Sequence, residues 1–312
     1  MFKKLIPAAA LLALAGAAQA QVTVYGLIDA AVQKTEGAQP TLVFGGNSTT
    51  RLGVKGSQDL GSGVKGNFQL EAGLDINGKS SSPDDNGNSQ SPFLNRQAWG
   101  GFSGDFGEVR VGRQDSVIFQ TMIGFDLNGA TNTACAQCAA QIAGGLLGGK
   151  GTRSLQYIAP AMGGLKVQFG YQADEPSVAG SKASAAAAAT YTMGSLTVAA
   201  AFESKQTATG DRTNAVGGSY DFGVAKVALN YSTTPGAEGS MVGVVVPVGG
   251  MNVGLQVASN TENSAKGAEL FVNKEILKNT VVYAEYLNGR TYDSSNVLQK
   301  NRAYAVGVIY AF

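Results

Sequence analysis

The chain ends Ala303-Tyr304-Ala305-Val306-Gly307-Val308-Ile309-Tyr310-Ala311-Phe312, and every even position in this run carries a large apolar side chain. The odd positions are mostly small. Successive side chains on a strand point to opposite faces, so one face here suits lipid and the other is small or wet. The same period of two recurs upstream. Leu165, Val167, Phe169 and Tyr171 alternate with Lys166, Gln168, Gly170 and Gln172, and Phe68, Leu70 and Ala72 alternate with Asn67, Gln69 and Glu71. Leu196/Val198/Ala200/Phe202, Ala225/Val227/Leu229/Tyr231 and Met251/Val253/Leu255/Val257 repeat it. A β-sandwich also alternates, but it turns its apolar face inward and needs no aromatic residues at strand ends.

The composition agrees with a face turned toward lipid. Hydrophobic residues make up 44% of the 312-residue chain and charged residues only 14%, against about 25% charged in soluble domains. Lys3 and Lys4, the apolar run Leu5 to Leu14 and the Ala18-Gln19-Ala20 site have the layout of a secretory leader, residues 1–20. The mature chain, 21–312, contains no run of eighteen apolar residues, so the sequence predicts no membrane-spanning helix. Every backbone polar group in lipid needs an internal partner, and besides helices only closed barrels provide one. Removal of Lys3 and Lys4 turns the formal charge of +1 slightly negative, which offers nucleic acid no general attraction.

Turn residues give the strand count. Short turns fall at Leu60-Gly61-Ser62-Gly63, Gly104-Asp105-Phe106-Gly107, Met162-Gly163-Gly164, Met193-Gly194-Ser195, Asp221-Phe222-Gly223, Val248-Gly249-Gly250 and Leu277-Lys278-Asn279. Longer polar stretches lie near 34–49, 76–92, 115–151, 174–182, 204–210, 233–239, 260–266 and 288–300. Seven turns alternating with eight loops predict an all-β, sixteen-stranded antiparallel transmembrane barrel with both termini on the short-turn rim. A barrel of that size encloses an aqueous channel. The run Ala185 to Ala189 reads as a low-complexity strand, a subunit contact or a crowded wall.

Histidine is absent. That removes Ser-His-Asp and Cys-His catalysis and the imidazole ligands of the usual metal sites. The sequence implies no catalytic residue, metal or cofactor. Cys135-Ala136-Gln137-Cys138 lacks the βαβ setting of a redox pair and the ligands of a zinc site. A local disulfide or two free thiols remain.

Four stretches carry a family resemblance. They are Val22-Thr23-Val24-Tyr25-Gly26-Leu27-Ile28-Asp29-Ala30, Arg51 to Gly61 (Arg51-Leu52-Gly53-Val54-Lys55-Gly56-Ser57-Gln58-Asp59-Leu60-Gly61), Asn95-Arg96-Gln97-Ala98-Trp99 leading into Gly104 to Gln114, and Tyr310-Ala311-Phe312. In these the chain resembles the general porins of the β-proteobacteria, the group that includes porins of Burkholderia, Bordetella, Comamonas and Neisseria. The resemblance implies a homotrimeric outer-membrane barrel with its third long loop folded into the lumen. It also implies that Phe312 is the signal read by the barrel-assembly machinery. Implied partners are outer-membrane lipid and lipopolysaccharide, small hydrophilic solutes and anions.

The longest loop, 115–151, is the candidate constriction, and Asp115, Asp126 and Lys150 are its only charges. Five of the eight arginines, Arg51, Arg96, Arg110, Arg113 and Arg153, lie on strands flanking it. With Lys55 they form a candidate cationic wall, and the resemblance places Arg51, Arg96 and Arg153 at the eyelet. Arginines facing loop carboxylates across a narrow gap would favour anions. A rim or interface charge is the alternative for any one of them. Parity turns Arg51 inward with Lys55, whereas Arg113 turns inward only if its strand ends or bulges near Gly112. Asp29 and Glu71 fall on the inward parity and balance the arginines in this reading. The expected function is a weakly anion-preferring diffusion porin. A substrate-specific channel, for organic acids or other small anions, and a non-conducting structural or adhesive barrel are the alternatives.

Overall fold

In a computed structural model the fold is described over residues 21–76, 93–142, 150–174, 182–204, 212–234 and 237–312. The leader 1–20 and the stretch 76–92 beyond Ile76 lie outside these residues, as does most of 174–182. The first six strands are β1 (Gln21–Thr35), β2 (Thr41–Phe44), β3 (Arg51–Gly61), β4 (Val64–Gly73), β5 (Gln97–Gly104) and β6 (Gly107–Asp115). Next come β7 (Lys150–Ile158), β8 (Leu165–Gln172), β9 (Ser184–Met193), β10 (Leu196–Glu203), β11 (Thr213–Asp221) and β12 (Lys226–Thr233). The last five are β13 (Gly239–Val248), β14 (Met251–Asn260), β15 (Lys266–Leu277), β16 (Thr280–Tyr292) and β17 (Leu298–Ala311).

Each strand pairs antiparallel with its chain neighbours, and β1 closes the ring on β17 from Leu27↔Ala311 to Thr35↔Ala303. The seventeen strands make sixteen staves. β2 pairs with the upper part of β1 (Ala30↔Phe44) and β3 with the lower part (Gln21↔Ser57), so β2 and β3 are one stave interrupted at 45–50. The stretch 34–49, expected as loop, therefore contains a strand. The last long stretch, 288–300, shrinks to 293–297, because β16 runs on to Tyr292. Asp293 closes that turn by accepting the backbone N–H groups of Ser295 and Val297, both at 2.9 Å.

Period two sorts the wall. Val22, Val24, Ile28 and Val32 of β1 are exposed, as are Tyr304, Val306, Val308 and Tyr310 of β17, whereas Asp29, Ala31, Ala303 and Ala305 are buried. No described helix is long and apolar enough to cross a membrane. The β6–β7 connection contains α1 (Val117–Met122), a 3-10 turn (Ile123–Phe125) and α2 (Ala136–Ala139). Ser116 caps α1, its Oγ accepting the Phe119 N–H at 3.2 Å.

The apolar clusters lie between this connection and the polar, small-residue face of the strands. Val117 and Ile118 pack on Ala188 and Ala201, and Met122 and Phe125 on Ala199, Ala215 and Ala228. Ala136, Ala140 and Ile142 pack on Met241 and Ala258. The alanine run of β9 thus belongs to a crowded wall, with Ala186 and Ala188 forming part of the seat of α1.

Candidate functional site

Two opposed walls flank the site. On the first, Tyr25, Gly53, Glu71 and Gln97 stand in one cross-strand row over β1, β3, β4 and β5. Gly53 is needed there, because a Cβ at that position would fall 2.3 Å from the Tyr25 ring. Tyr25 therefore lies across β3 and donates its hydroxyl to Glu71 Oε2 at 2.8 Å. Arg96 Nε donates to Glu71 Oε1 at 2.6 Å. Arg51 is within electrostatic reach of Arg96, Glu71, Tyr25 and Asp115. Asp115 in turn accepts from Gln97 Nε2 at 2.9 Å.

The next row, Lys55, Gln69, Trp99 and Gly112, lies one step nearer the short-turn rim. Lys55 Nζ sits 5.3 Å from the Tyr25 ring centroid and Arg110 lies 4.5 Å from that of Trp99. Arg110 also donates to Glu108 at 2.7 Å. Lys55, Arg110, Gln69 and Trp99 line one recess of about 670 Å³. Lys166, within reach of Arg110 and Glu108, extends the basic series and was not singled out from the sequence.

The second wall holds the β6–β7 connection through buried carboxylates and amides. Glu285 Oε1 accepts from Thr131 at 2.6 Å, and its Oε2 accepts from Asn47 at 2.9 Å and Asn128 at 3.1 Å. Glu269 accepts from Asn128 at 2.7 Å and from the Ala136 N–H at 3.2 Å. Gln256 accepts the Leu127 N–H at 2.8 Å. Asp29 accepts from Tyr283 and from the Asn47 and Ser48 N–H groups at 2.6–2.7 Å. It fixes the break between β2 and β3 and does not balance the arginines. Glu71 does.

The remaining expected residues divide. Asp126 does not face the arginines: its buried carboxylate accepts from Gln256 at 3.0 Å and Gln137 at 3.2 Å, against the second wall. The reason is local, because the amide partners lie on β14 and α2. The β6–β7 register shifts between Gly112 and Gln114, but the extra residue lies in β7, where 152 and 153 oppose Arg113; Arg113 stays in register with Ala98 of β5 and is half-buried, and Gly112 has φ +131°. Arg153 is exposed on the parity of exposed Leu155, reaches the Asp174 carbonyl at 3.5 Å and is not brought to the Arg51–Arg96 pair. Cys135 and Cys138 are disulfide-bonded at the start of α2. Phe312 pairs its backbone N–H and C=O with Gly26 at 3.1 and 3.0 Å, and its ring covers that glycine.

A closed sixteen-stave antiparallel barrel with no described membrane-spanning helix defines a pore-forming class. The chain belongs to the Gram-negative porin family, whose model matches residues 8–294, and it is an outer-membrane porin. It is 32% identical to outer membrane porin protein 32 of Delftia acidovorans over 98% of this chain and 95% of that protein. It is 38% identical to the major outer membrane protein P.IB of Neisseria meningitidis serogroup B over 38% of this chain and 36% of that protein. In fold it matches the anion-selective porin of Comamonas acidovorans with a TM-score of 0.76 at 23% identity, over 94% of this chain and all of the other. It also matches the trimer form of the Vibrio cholerae outer membrane protein OmpT, with a TM-score of 0.67 at 17% identity, over 94% and 99%.

Proposed function

We propose that this porin is a passive, anion-preferring channel for small hydrophilic solutes, narrowed by the 115–151 connection lying inside the lumen. Its contacts with the polar face of the strands from β8 to β16 support that placement. Arg51 and Arg96 form the constriction, with Asp115 at its edge and Lys55 and Arg110 below.

One observation carries the preference. Asp126 is the only charged residue between Val117 and Ile142, and its carboxylate is bonded into the opposite wall. On the first wall Glu71 is ion-paired with Arg96 and Glu108 with Arg110, but Arg51, Arg96, Arg110, Lys55 and Lys166 outnumber Glu71, Glu108 and Asp115, so positive potential dominates the gap. The anion-selective Comamonas relative in fold supports the same sign.

The channel has no catalytic step. Residues 1–20 act as a removable leader, Phe312 as the assembly signal, and the mature chain forms a homotrimer, as the OmpT trimer form suggests. Lipopolysaccharide and outer-membrane lipid surround it. The short connections 261–265 and 293–297 disfavour an adhesive role.

Planar-bilayer recording across a KCl gradient tests the reading. Large ohmic steps with a chloride-preferring reversal potential are expected. A cation-preferring sign would overturn the selectivity, and a folded protein without steps would overturn the channel.

A further inference from the structure

The disulfide of the β6–β7 connection stands apart from the burial around it. From Thr133 to Ile142 every residue is buried or half-buried except Cys138, which is exposed, whereas its partner Cys135 is only 3% exposed. Cysteine is among the residue types most often buried, yet here one of the bonded pair takes the single exposed position.

Fastening the segment does not account for the bond. Ala136 donates its N–H to Glu269 at 3.2 Å, and Gln141 exchanges hydrogen bonds with the Tyr292 backbone at 2.9 and 3.2 Å. Gly267 and Gly289 make room for α2, since a Cβ at either would come within 3.0–3.1 Å of the Ala139 Cβ. A disulfide constrains the unfolded chain least when it closes a short loop, and this one joins residues that other contacts already fix.

The two sulfurs are unequal. Exchange begins when a thiolate attacks one sulfur of the bond and the other departs, at rates set by access and by the leaving group. Access selects Cys138 as the sulfur attacked. Cys135 Sγ accepts the Cys138 N–H at 3.1 Å, a donor that suits a departing thiolate. The position is equally specific. Gly289 and Tyr292 lie at the long-loop end of β16, so α2 is seated just inside that mouth of the barrel. Its buried residues face β14–β16, which leaves Cys138 on the side turned to the water of the mouth.

We propose that Cys138 is a thiolation site in the channel mouth, taking a small hydrophilic thiol as a mixed disulfide. The proposal rests on the porin reading only in that this mouth carries the ion path. The incoming thiolate sulfur bonds to Cys138 Sγ, the Cys135–Cys138 bond breaks, and its electron pair leaves with Cys135 as a thiolate. No other oxidant or reductant is consumed. A second thiol that attacks the mixed disulfide releases a small disulfide and leaves both cysteines reduced. The basic wall across the lumen concentrates anionic thiols over neutral ones. Because α2 keeps its seat, the added group narrows the mouth and changes its charge without unfolding the connection.

The full-length protein, folded in detergent and treated with reduced glutathione, is quenched with acid and mapped by non-reducing peptide mass spectrometry. Glutathione should sit on Cys138, with Cys135 free, on the order of tenfold or more over the reverse adduct. Cys135 can re-form the bond, so C135S treated with glutathione disulfide gives the lasting adduct: the Cys138 thiolate attacks and one glutathione leaves as its thiolate. C138S, which keeps only the buried Cys135, should react on the order of tenfold more slowly. Preference for Cys135, equal rates for the two variants, or a wild-type bond inert to millimolar glutathione that reacts once the chain is unfolded would overturn the site. In planar bilayers glutathionylated C135S should conduct less than untreated C135S, with its reversal potential moved toward cations, and dithiothreitol should restore both. An adduct on Cys138 that changes neither would overturn its place in the mouth. An adduct on a protein that never conducts would refute the channel and leave Cys138 as a thiolation site.

Discussion

The two walls of the pore are built on opposite principles. The β3–β6 wall keeps long charged side chains, each held by one or two partners: Arg96 by Glu71, Arg110 by Glu108 and the Trp99 ring, Lys55 beside Tyr25. The wall running from β9 to β16 is lined by alanine and glycine and receives a separate piece of chain. Its carboxylates are buried and take two or three donors apiece. The cations of the first wall stay partly exposed, whereas hydrogen bonds use up the acceptor capacity of the second wall's carboxylates.

The sharpest break of this contrast is Glu285→Leu. It strands Thr131, Asn128 and Asn47, and should loosen the connection by about 3–5 kcal/mol, as removal of one partner from a buried charged network does. Limited proteolysis between β6 and β7 and raised open-channel noise would report it. Unchanged nicking would mean that the apolar clusters alone hold the segment.

Gly267→Val comes next. A Cβ there would lie 2.6 Å from the Ala136 carbonyl oxygen, a backbone atom with no free rotation to escape. Overpacking costs about 1–3 kcal/mol, so α2 should lift and the conductance should fall or fluctuate. Replacing both cysteines, C135S/C138S, removes a short cross-link contributing roughly 2 kcal/mol. Its effect should appear as earlier thermal loosening of the loop with selectivity intact.

On the first wall, Arg96→Gln leaves buried Glu71 with Tyr25 and a neutral amide as donors and should cost about 1–2 kcal/mol. The measurable change is a reversal potential displaced toward cation preference. An unmoved potential would locate the selectivity elsewhere.

The smallest effect concerns Glu36 at the rim. The hydrogen bond from Arg302 holds its carboxyl below the ordinary carboxylate range. A folded-state pKa depressed in this way means the pairing is complete above about pH 4 and is lost only as pH falls through the lowered value. E36Q should remove this step from the pH dependence of thermal stability, an effect too small to alter the conductance.

Much of the architecture was legible because period two and turn glycines are local signals. Arg51 and Lys55 could be given a direction from parity alone, whereas the irregularity beside Arg113 falls in β7, a strand whose sequence carries no sign of it. The second wall was not legible in the same way. Glu269 and Glu285 sit on inward positions that alternation reveals, but their partners Asn128 and Thr131 are more than a hundred residues away in the chain. No spacing rule connects them. Asp126 misled for the same reason, since its partners Gln137 and Gln256 decide where the carboxylate points. Thr41–Phe44 is too short for alternation to separate from a loop, and its register comes from β1. The alanines of β9 looked uninformative until α1 was seated on them.

The seam between β1 and β17 joins Leu27 to Ala311, and Gly26 exchanges backbone bonds with Phe312 itself. The first strand thus keeps one edge open until the last residues of the chain arrive. Such an edge is a template for pairing with the wrong chain, and contacts this far apart in sequence form slowly. For this molecule the period of greatest vulnerability is the interval between arrival in the periplasm and closure of that single seam. A chain that lost residues 303–312 would keep nearly all its strands and still be unable to end that interval.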